Sequence, residues 1–192
     1  HFTDDGCALN PQNATIPATI DDIARGRCRY SHRSNQTGPA DSMRMRLMLL
    51  GGGNALGQAL IRLGAEEDIG FLAPRPPQDG WDAASLTQLL DDTRPDALIN
   101  LAYYFDWFQA EAVSEQRLAG QERAVERLAE LCQHHNIVLL QPSSYRVFDG
   151  SRATAYSEKD EPVPLGLRGQ ALWRIEQSVR ATCPQHVLLR FG

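Results

Sequence analysis

A doubly wound α/β fold, a parallel sheet with helices on both faces, is what this sequence predicts from Met45 onward. Three observations predict it. Short apolar runs alternate with helical patterns along the chain. The apolar runs are continuous, as strands buried on both faces require. The first run, Leu47–Leu50, passes at once into Gly51, Gly52, Gly53 and Gly57, and a helical pattern opens at Ala55. Strand, glycine-rich turn and helix start, in that order, make the opening unit of a Rossmann-like, dinucleotide-binding sheet.

Each element has its own warrant. Leu47–Leu50 is the first strand and Ala55–Leu63 the helix after the glycines. Ile69–Ala73 is a second strand, ended by Pro74. Ala83–Leu90 is a helix with Asp82 as its cap. Ala97–Leu101 is a third strand. Ala110–His134 is a long helical stretch with Val125, Leu128, Ala129 and Cys132 on one stripe. Ile137–Leu140 is a fourth strand, Leu165–Ala181 a further helix and Val187–Arg190 a fifth strand. Right-handed crossovers then give the doubly wound order.

Residues 1–44 differ from the rest. They are polar, hold Pro11, Pro17 and Pro39, and carry a basic cluster of Arg25, Arg27, Arg29, His32 and Arg33. They read as a flexible N-terminal extension with room for one short helix from Thr19 to Arg25. Met43 and Met45 both suit the start of the folded part, so the expected division is 1–44 and 45–192.

Composition narrows the function. Hydrophobic residues make up 42% of 192, enough for a core. A net charge of -5 favours neither nucleic acid nor an anionic membrane. No apolar run approaches a membrane span and no signal peptide is evident, so a cytoplasmic protein is expected. Cys7, Cys28, Cys132 and Cys183 lack metal-ligand spacing, so no metal is expected and the thiols are read as reduced. Lys159 is the single lysine against eighteen arginines, which restricts any chemistry that needs an amine.

The segment after the fourth strand carries the more specific signal. Ser143-Ser144-Tyr145-Arg146-Val147-Phe148-Asp149-Gly150 lies at the carboxyl edge of the sheet, where such folds bind ligands. It resembles the Ser-Thr-Asp-Tyr-Val-Phe-Asp-Gly signature of the dTDP-4-dehydrorhamnose reductases, extended short-chain dehydrogenase/reductases that act on nucleotide sugars. Asn100-Leu101-Ala102-Tyr103-Tyr104 resembles that family's Asn-Ala-Ala-Ala-Tyr, and Ala110-Glu111 its Ala-Glu. Pro164-Leu165-Gly166-Leu167-Arg168-Gly169 resembles Pro-Leu-Asn-Val-Tyr-Gly, with Glu176 on the glutamate that follows and Leu189-Arg190 on the next strand. The resemblance runs from about Met45 to Gly192 and implies the nucleotide-binding part, with the C-terminal substrate region largely missing.

The resemblance implies hydride transfer from NADP, with NAD as the alternative, to the keto group of a nucleotide sugar, as in dTDP-rhamnose biosynthesis. It places Ser144 on the serine or threonine that bonds the carbonyl. It places Arg168 where the family has its acid tyrosine and Leu172 where it has its lysine. An arginine stays protonated and is no proton donor at working pH. Tyr145 and Tyr156 are the substitutes within reach in sequence. The implied cofactor contacts are Gly51, Gly53, Asn54, Leu56 and Gly57 around the turn, with Asn54 where the family has its second glycine. Arg75 suits a 2′-phosphate, Asp79 lies near the adenine, and Ala102 follows the third strand.

Two functions stay open. One is an NADP-dependent nucleotide-sugar reductase. The other is a catalytically impaired NADP- or sugar-nucleotide-binding protein with a regulatory role, in a homodimer or with a partner protein. Other features have plainer readings. Tyr103, Tyr104, Phe105, Trp107 and Phe108 read as packing, His134 and His135 as favourable charges at a helix end, Lys159-Asp160-Glu161 as a solvated loop, and Asp149-Gly150 as a turn.

Overall fold

A computed structural model describes residues 45–77, 81–102 and 114–192. In order, the elements are β1 (Leu47–Leu50), α1 (Ala55–Glu66), β2 (Phe71–Leu72), α2 (Ala83–Thr93), β3 (Ala97–Asn100), α3 (Glu115–His135), β4 (Val138–Ser144), α4 (Leu167–Thr182) and β5 (His186–Phe191). A single 3-10 turn, Tyr145–Val147, follows β4. The five strands are parallel in the order β2-β1-β3-β4-β5.

The expected doubly wound sheet is present, and its handedness follows from strand order. The β1-to-β2 connection runs one way across the sheet, and every later connection runs the other way. With right-handed crossovers, α1 must then lie on one face and α2, α3 and α4 on the other. The core divides accordingly. Leu49, Ile61, Ala73 and Leu101 form a small cluster under α1. Met48, Leu50, Leu98 and Leu139 meet Leu89 and Leu90 of α2, Leu128 and Cys132 of α3, and Leu172 and Ile175 of α4 in a larger one. Alternate residues of β1 thus serve opposite faces.

The helix ends carry local signals. Ser85 and Asp82 close a capping box on α2. Ser114 caps α3, which ends on Asn136 in the left-handed conformation (φ 57°). Two strands differ from their expected lengths for physical reasons. Ile69 donates its N–H to Gly64 and belongs to the turn after α1, which leaves β2 only Phe71–Leu72. β4 runs past Leu140 to Ser144, through Pro142. β3 pairs only as far as Leu140, so Pro142 sits where β4 has a neighbour on one side alone. The helix expected from Leu165 starts at Leu167, with Gly166 as its N-cap and Leu165 exposed. The 1–44 extension, the aromatic run 103–108, Ala110 and Glu111 lie outside the described residues.

The edge strand is fixed by a buried carboxylate. Glu176 of α4 is fully buried. Arg190 of β5 grips it with two bonds, Nε to Oε1 at 2.9 Å and Nη2 to Oε2 at 2.6 Å, and Ser143 Oγ of β4 donates at 2.6 Å. One side chain therefore joins a helix to two strands, with paired donors offsetting its desolvation. On the outside, Arg174 of α4 makes a similar fork to Glu122 of α3. Cys132 and Cys183 are buried free thiols, and burial pushes Cys132 up to about 12.

Replacing Glu176 with Gln leaves the Arg190 guanidinium without its counter-charge. Urea unfolding of E176Q is expected to show a loss of about 3 kcal/mol, whereas E122Q, at an exposed pair, loses under about 1 kcal/mol.

Candidate functional site

The ends of β1 and β3 diverge where connections leave in opposite directions, and ligands bind at such a switch point. The glycine turn is built into that crevice. Gly51 has φ +86°, and a Cβ there would lie 2.5 Å from the Leu101 carbonyl carbon and 2.7 Å from the Ala102 nitrogen. A Cβ on Gly57 would meet the Gly51 oxygen at 2.5 Å. These two glycines let the turn, the first helical turn of α1 and the end of β3 touch backbone to backbone. Gly53 is different: it is exposed, with nothing within 4 Å of its Cβ position.

Asn54 stands at the head of α1 with an extended backbone. It does not take the left-handed backbone for which its residue type allows, since its φ is -83° and its ψ 169°. It is instead the N-cap of α1. Its Oδ1 accepts the Gly57 N–H at 2.8 Å, and its Nδ2 donates to the Leu101 oxygen at 2.8 Å. It ties the turn across the switch point to β3. Gln58 Nε2 adds a bond to the Gly52 oxygen at 2.7 Å. The first turn of a helix has donors without intrahelical acceptors, and Asn54 occupies the one at Gly57. The amides at Ala55 and Leu56 remain in that turn beside the positive end of the dipole, a setting that suits phosphate.

The other expected contacts are placed as follows. Leu56 is half-buried against the α1-side core. Ala102 lies at the crevice with its N–H on Asn100 Oδ1 at 3.3 Å. Arg75 is exposed just beyond buried Ala73 and Pro74 at the exit of β2. Asp79 lies outside the described residues. The residues present fit a dinucleotide at its diphosphate end, because the turn is open at Gly53.

Ser144 is fully buried, and its Oγ accepts the Arg146 N–H at 3.4 Å. Tyr145 is 54% exposed and faces a cavity of about 640 Å³ shared with Arg146, Phe148, Tyr156, Arg168 and Gly169. The Tyr156 ring stacks on Phe148 at 4.3 Å, and its hydroxyl donates to Asp149 Oδ1 at 2.5 Å. Asp149 also accepts from the Ser151 N–H and hydroxyl, the turn expected before Gly150. That Tyr156 bond, followed by those from Ser151, holds the Asp149 carboxyl down at about 2. Leu172 is 4% exposed and part of the core. Arg168 stands in the first turn of α4, where Gly166 provides no side-chain cap.

Two features of the site have little signature along the chain. The Glu176–Arg190–Ser143 cluster appeared only as matched letters, although a charged residue on an apolar helix stripe signals a buried pair. The Asn100–Gln141 bond at 2.8 Å, which ties β3 to β4 beneath the crevice, had no separate signal.

A parallel α/β sheet with a glycine turn at its switch point and a pocket at the end of the fourth strand has the architecture of a Rossmann-like fold. The chain belongs to the family described as the RmlD substrate binding domain, whose model matches residues 45–192. It is 31% identical over 136 residues to a probable low-salt glycan biosynthesis reductase, Agl14, of Haloferax volcanii, covering 71% of this chain and 45% of that protein. It is 29% identical over 149 residues to the dTDP-4-dehydrorhamnose reductase of Aggregatibacter actinomycetemcomitans, covering 76% and 50%. Among solved structures, a hypothetical dTDP-4-dehydrorhamnose reductase of Sulfolobus tokodaii matches with a TM-score of 0.61 at 25% identity, covering 76% of this chain and 55% of that one. A dTDP-4-dehydrorhamnose reductase of Bacillus anthracis, solved in complex with NADP, has the same fold (TM-score 0.60, 18% identity, 77% and 53% covered). The chain spans about half the length of the curated relatives it matches.

Two tests follow from the geometry. Gly51→Ala is expected to lose at least about 2 kcal/mol in a urea titration, through a left-handed backbone and a backbone clash, while Gly53→Ala stays within about 0.5 kcal/mol. Tyr156→Phe removes the largest cause of the low Asp149 value, so its carboxyl should titrate closer to the ordinary value near 3.9. A depressed folded value means stability present above the unfolded value and lost as pH falls toward about 2. NMR titration of the Asp149 carboxyl carbon would show an unchanged midpoint in Y156F if this bond were absent in solution.

Proposed function

We propose that this chain is the cofactor-binding part of an NADP-linked, sugar-nucleotide-binding protein of the dTDP-4-dehydrorhamnose reductase type, and that its own hydride transfer is slow or absent. Family membership supports the ligands. NADP is preferred to NAD because Arg75 stands exposed at the exit of β2, where a cation favours a 2′-phosphate.

One observation carries the second half of the proposal. The position of the family's acid is Arg168, and the position of its lysine is Leu172, sealed in the core at 4% exposure. The reduced keto oxygen needs a proton, and a guanidinium does not release one. Nor does Leu172 offer a donor to a ribose hydroxyl. The Tyr156 hydroxyl already donates to Asp149.

In this reading the turn Gly51–Gly53 and the α1 amides hold the diphosphate, Asn54 keeps the turn against β3, and Arg75 takes the 2′-phosphate. The nicotinamide supplies hydride chemistry when the cofactor is bound. The protein's part is to position it and exclude water.

The second reading is a working NADP-dependent keto-sugar reductase. It is favoured by Tyr145, whose exposed phenol faces the cavity next to Ser144. One experiment separates the two. Reduced NADP is titrated by its fluorescence, and its absorbance is then followed after adding a dTDP-4-keto-6-deoxy sugar. Saturable binding with no turnover above the blank is expected. Turnover that drops about 10²-fold or more in Tyr145→Phe would establish the reductase reading. Failure to bind either dinucleotide would reject both.

A further inference from the structure

We infer that the cavity over the first turn of α4 is an oxyanion site centred on Arg168, and that it takes a sugar carrying a carboxylate or phosphate. The inference starts from the arginine at the tyrosine position and rests on that part of the proposed function, but it does not require a dinucleotide at the β1–α1 turn.

Four observations concern Arg168, the start of α4 and the cavity that Arg168 lines, into which the Nη2 now closed to solvent would have to turn. The Arg168 Nη2 is fully buried and has no hydrogen-bond partner among the described residues. A buried guanidinium N–H without an acceptor is costly, and an oxyanion is its natural complement. Arg146 lines the same cavity, its guanidinium carbon 6.0 Å from the centre of the Tyr145 ring. Gly166 stands at the N-cap with φ -112° and ψ 162°, a proper cap conformation, yet contributes no side-chain bond to the first-turn amides. α4 has 16 residues, so its positive end is fully developed, and Arg168 sits in that end.

Size and walls define the rest of the ligand. About 640 Å³ is far more than one ion needs and falls within the range of small-molecule sites. Tyr145, Phe148 and Tyr156 give it aromatic walls, which suit the apolar face of a sugar ring. Asp149 is the carboxylate that also faces the cavity. Its bonds from Tyr156 and Ser151 keep it ionised, and one carboxylate against Arg146 and Arg168 leaves the lining with net positive charge. A sugar without an anionic substituent has no negative group to meet that charge. An acidic or phosphorylated one does.

The test uses the 192-residue chain in amide NMR. The probes are glucose 1-phosphate, glucuronate and neutral glucose. The two anions are expected to shift the amides of Leu167, Arg168 and Gly169 saturably, and glucose is not. Arg168→Gln should weaken the binding about tenfold or more, and Arg168→Lys should restore part of it. Gly166→Asp, which places a cap carboxylate on the same amides, should abolish binding while raising thermal stability. A response to only one of the anions still supports the site and names its ligand as phosphate or carboxylate. An equal response to glucose, an unchanged response in R168Q, or none to either anion would overturn it. Reduced NADP added to the same sample is read at the amides of Gly51–Gly57. Silence there with the anion response intact would reject the dinucleotide reading and leave this one standing.

Discussion

The contact on which the crevice depends is the approach of the β1–α1 turn to the end of β3. Parallel strands joined by helices leave a gap wherever successive connections part company, and the turn closes its floor here. Gly51 and Gly57 permit that approach because neither has a Cβ to keep the backbones apart. Asn54 then locks it, with one end of its amide on the helix it caps and the other on the Leu101 carbonyl. The same residue that secures the turn also consumes one of the donors a phosphate would use. One N–H at this helix start is thus committed to the fold, and Gly53 is the place where the turn remains open.

The far end of the sheet is organised by a different force. Glu176 brings a charge to a site without water, and the charge is tolerable only because Arg190 and Ser143 meet it with directed donors. Since these partners come from α4, β5 and β4, the ion pair fixes how α4 lies against the sheet. It thereby sets where the start of that helix meets the Tyr145–Val147 turn. Gly169 allows the meeting, as any side chain there would overlap the Arg146 carbonyl. Arg168, one residue earlier, is held beside the cavity by this packing.

Much of this was legible in the order of residues. The βα alternation is written in apolar runs too short for helices and too uninterrupted for half-exposed strands, and the strands at Leu47, Ala97, Ile137 and Val187 fall within a few residues of their observed places. Asp82 announces a helix start by residue type alone. What resisted reading were features decided by non-local partners. Pro142 argues against a strand until the end of β3 is known, and Ile69 looks like strand until its N–H is seen to close the turn after α1. Asn54 could be recognised as an exception among glycines, yet its role as a cap and brace depends on a carbonyl 47 residues away.

By itself, then, the sequence determined the layered architecture, the position of the glycine turn and the residue types, Arg168 and Leu172, at the start of the last helix, because these rest on local periodicity and on residue identity. Tertiary structure alone decided which donors are still available. Ser144 is buried, Tyr156 is bonded to Asp149, Leu172 is sealed and one Arg168 nitrogen has no partner among the described residues. Those are properties of the space between segments, where desolvation and hydrogen-bond geometry depend on chains distant in sequence, and no pattern along a single strand or helix encodes them.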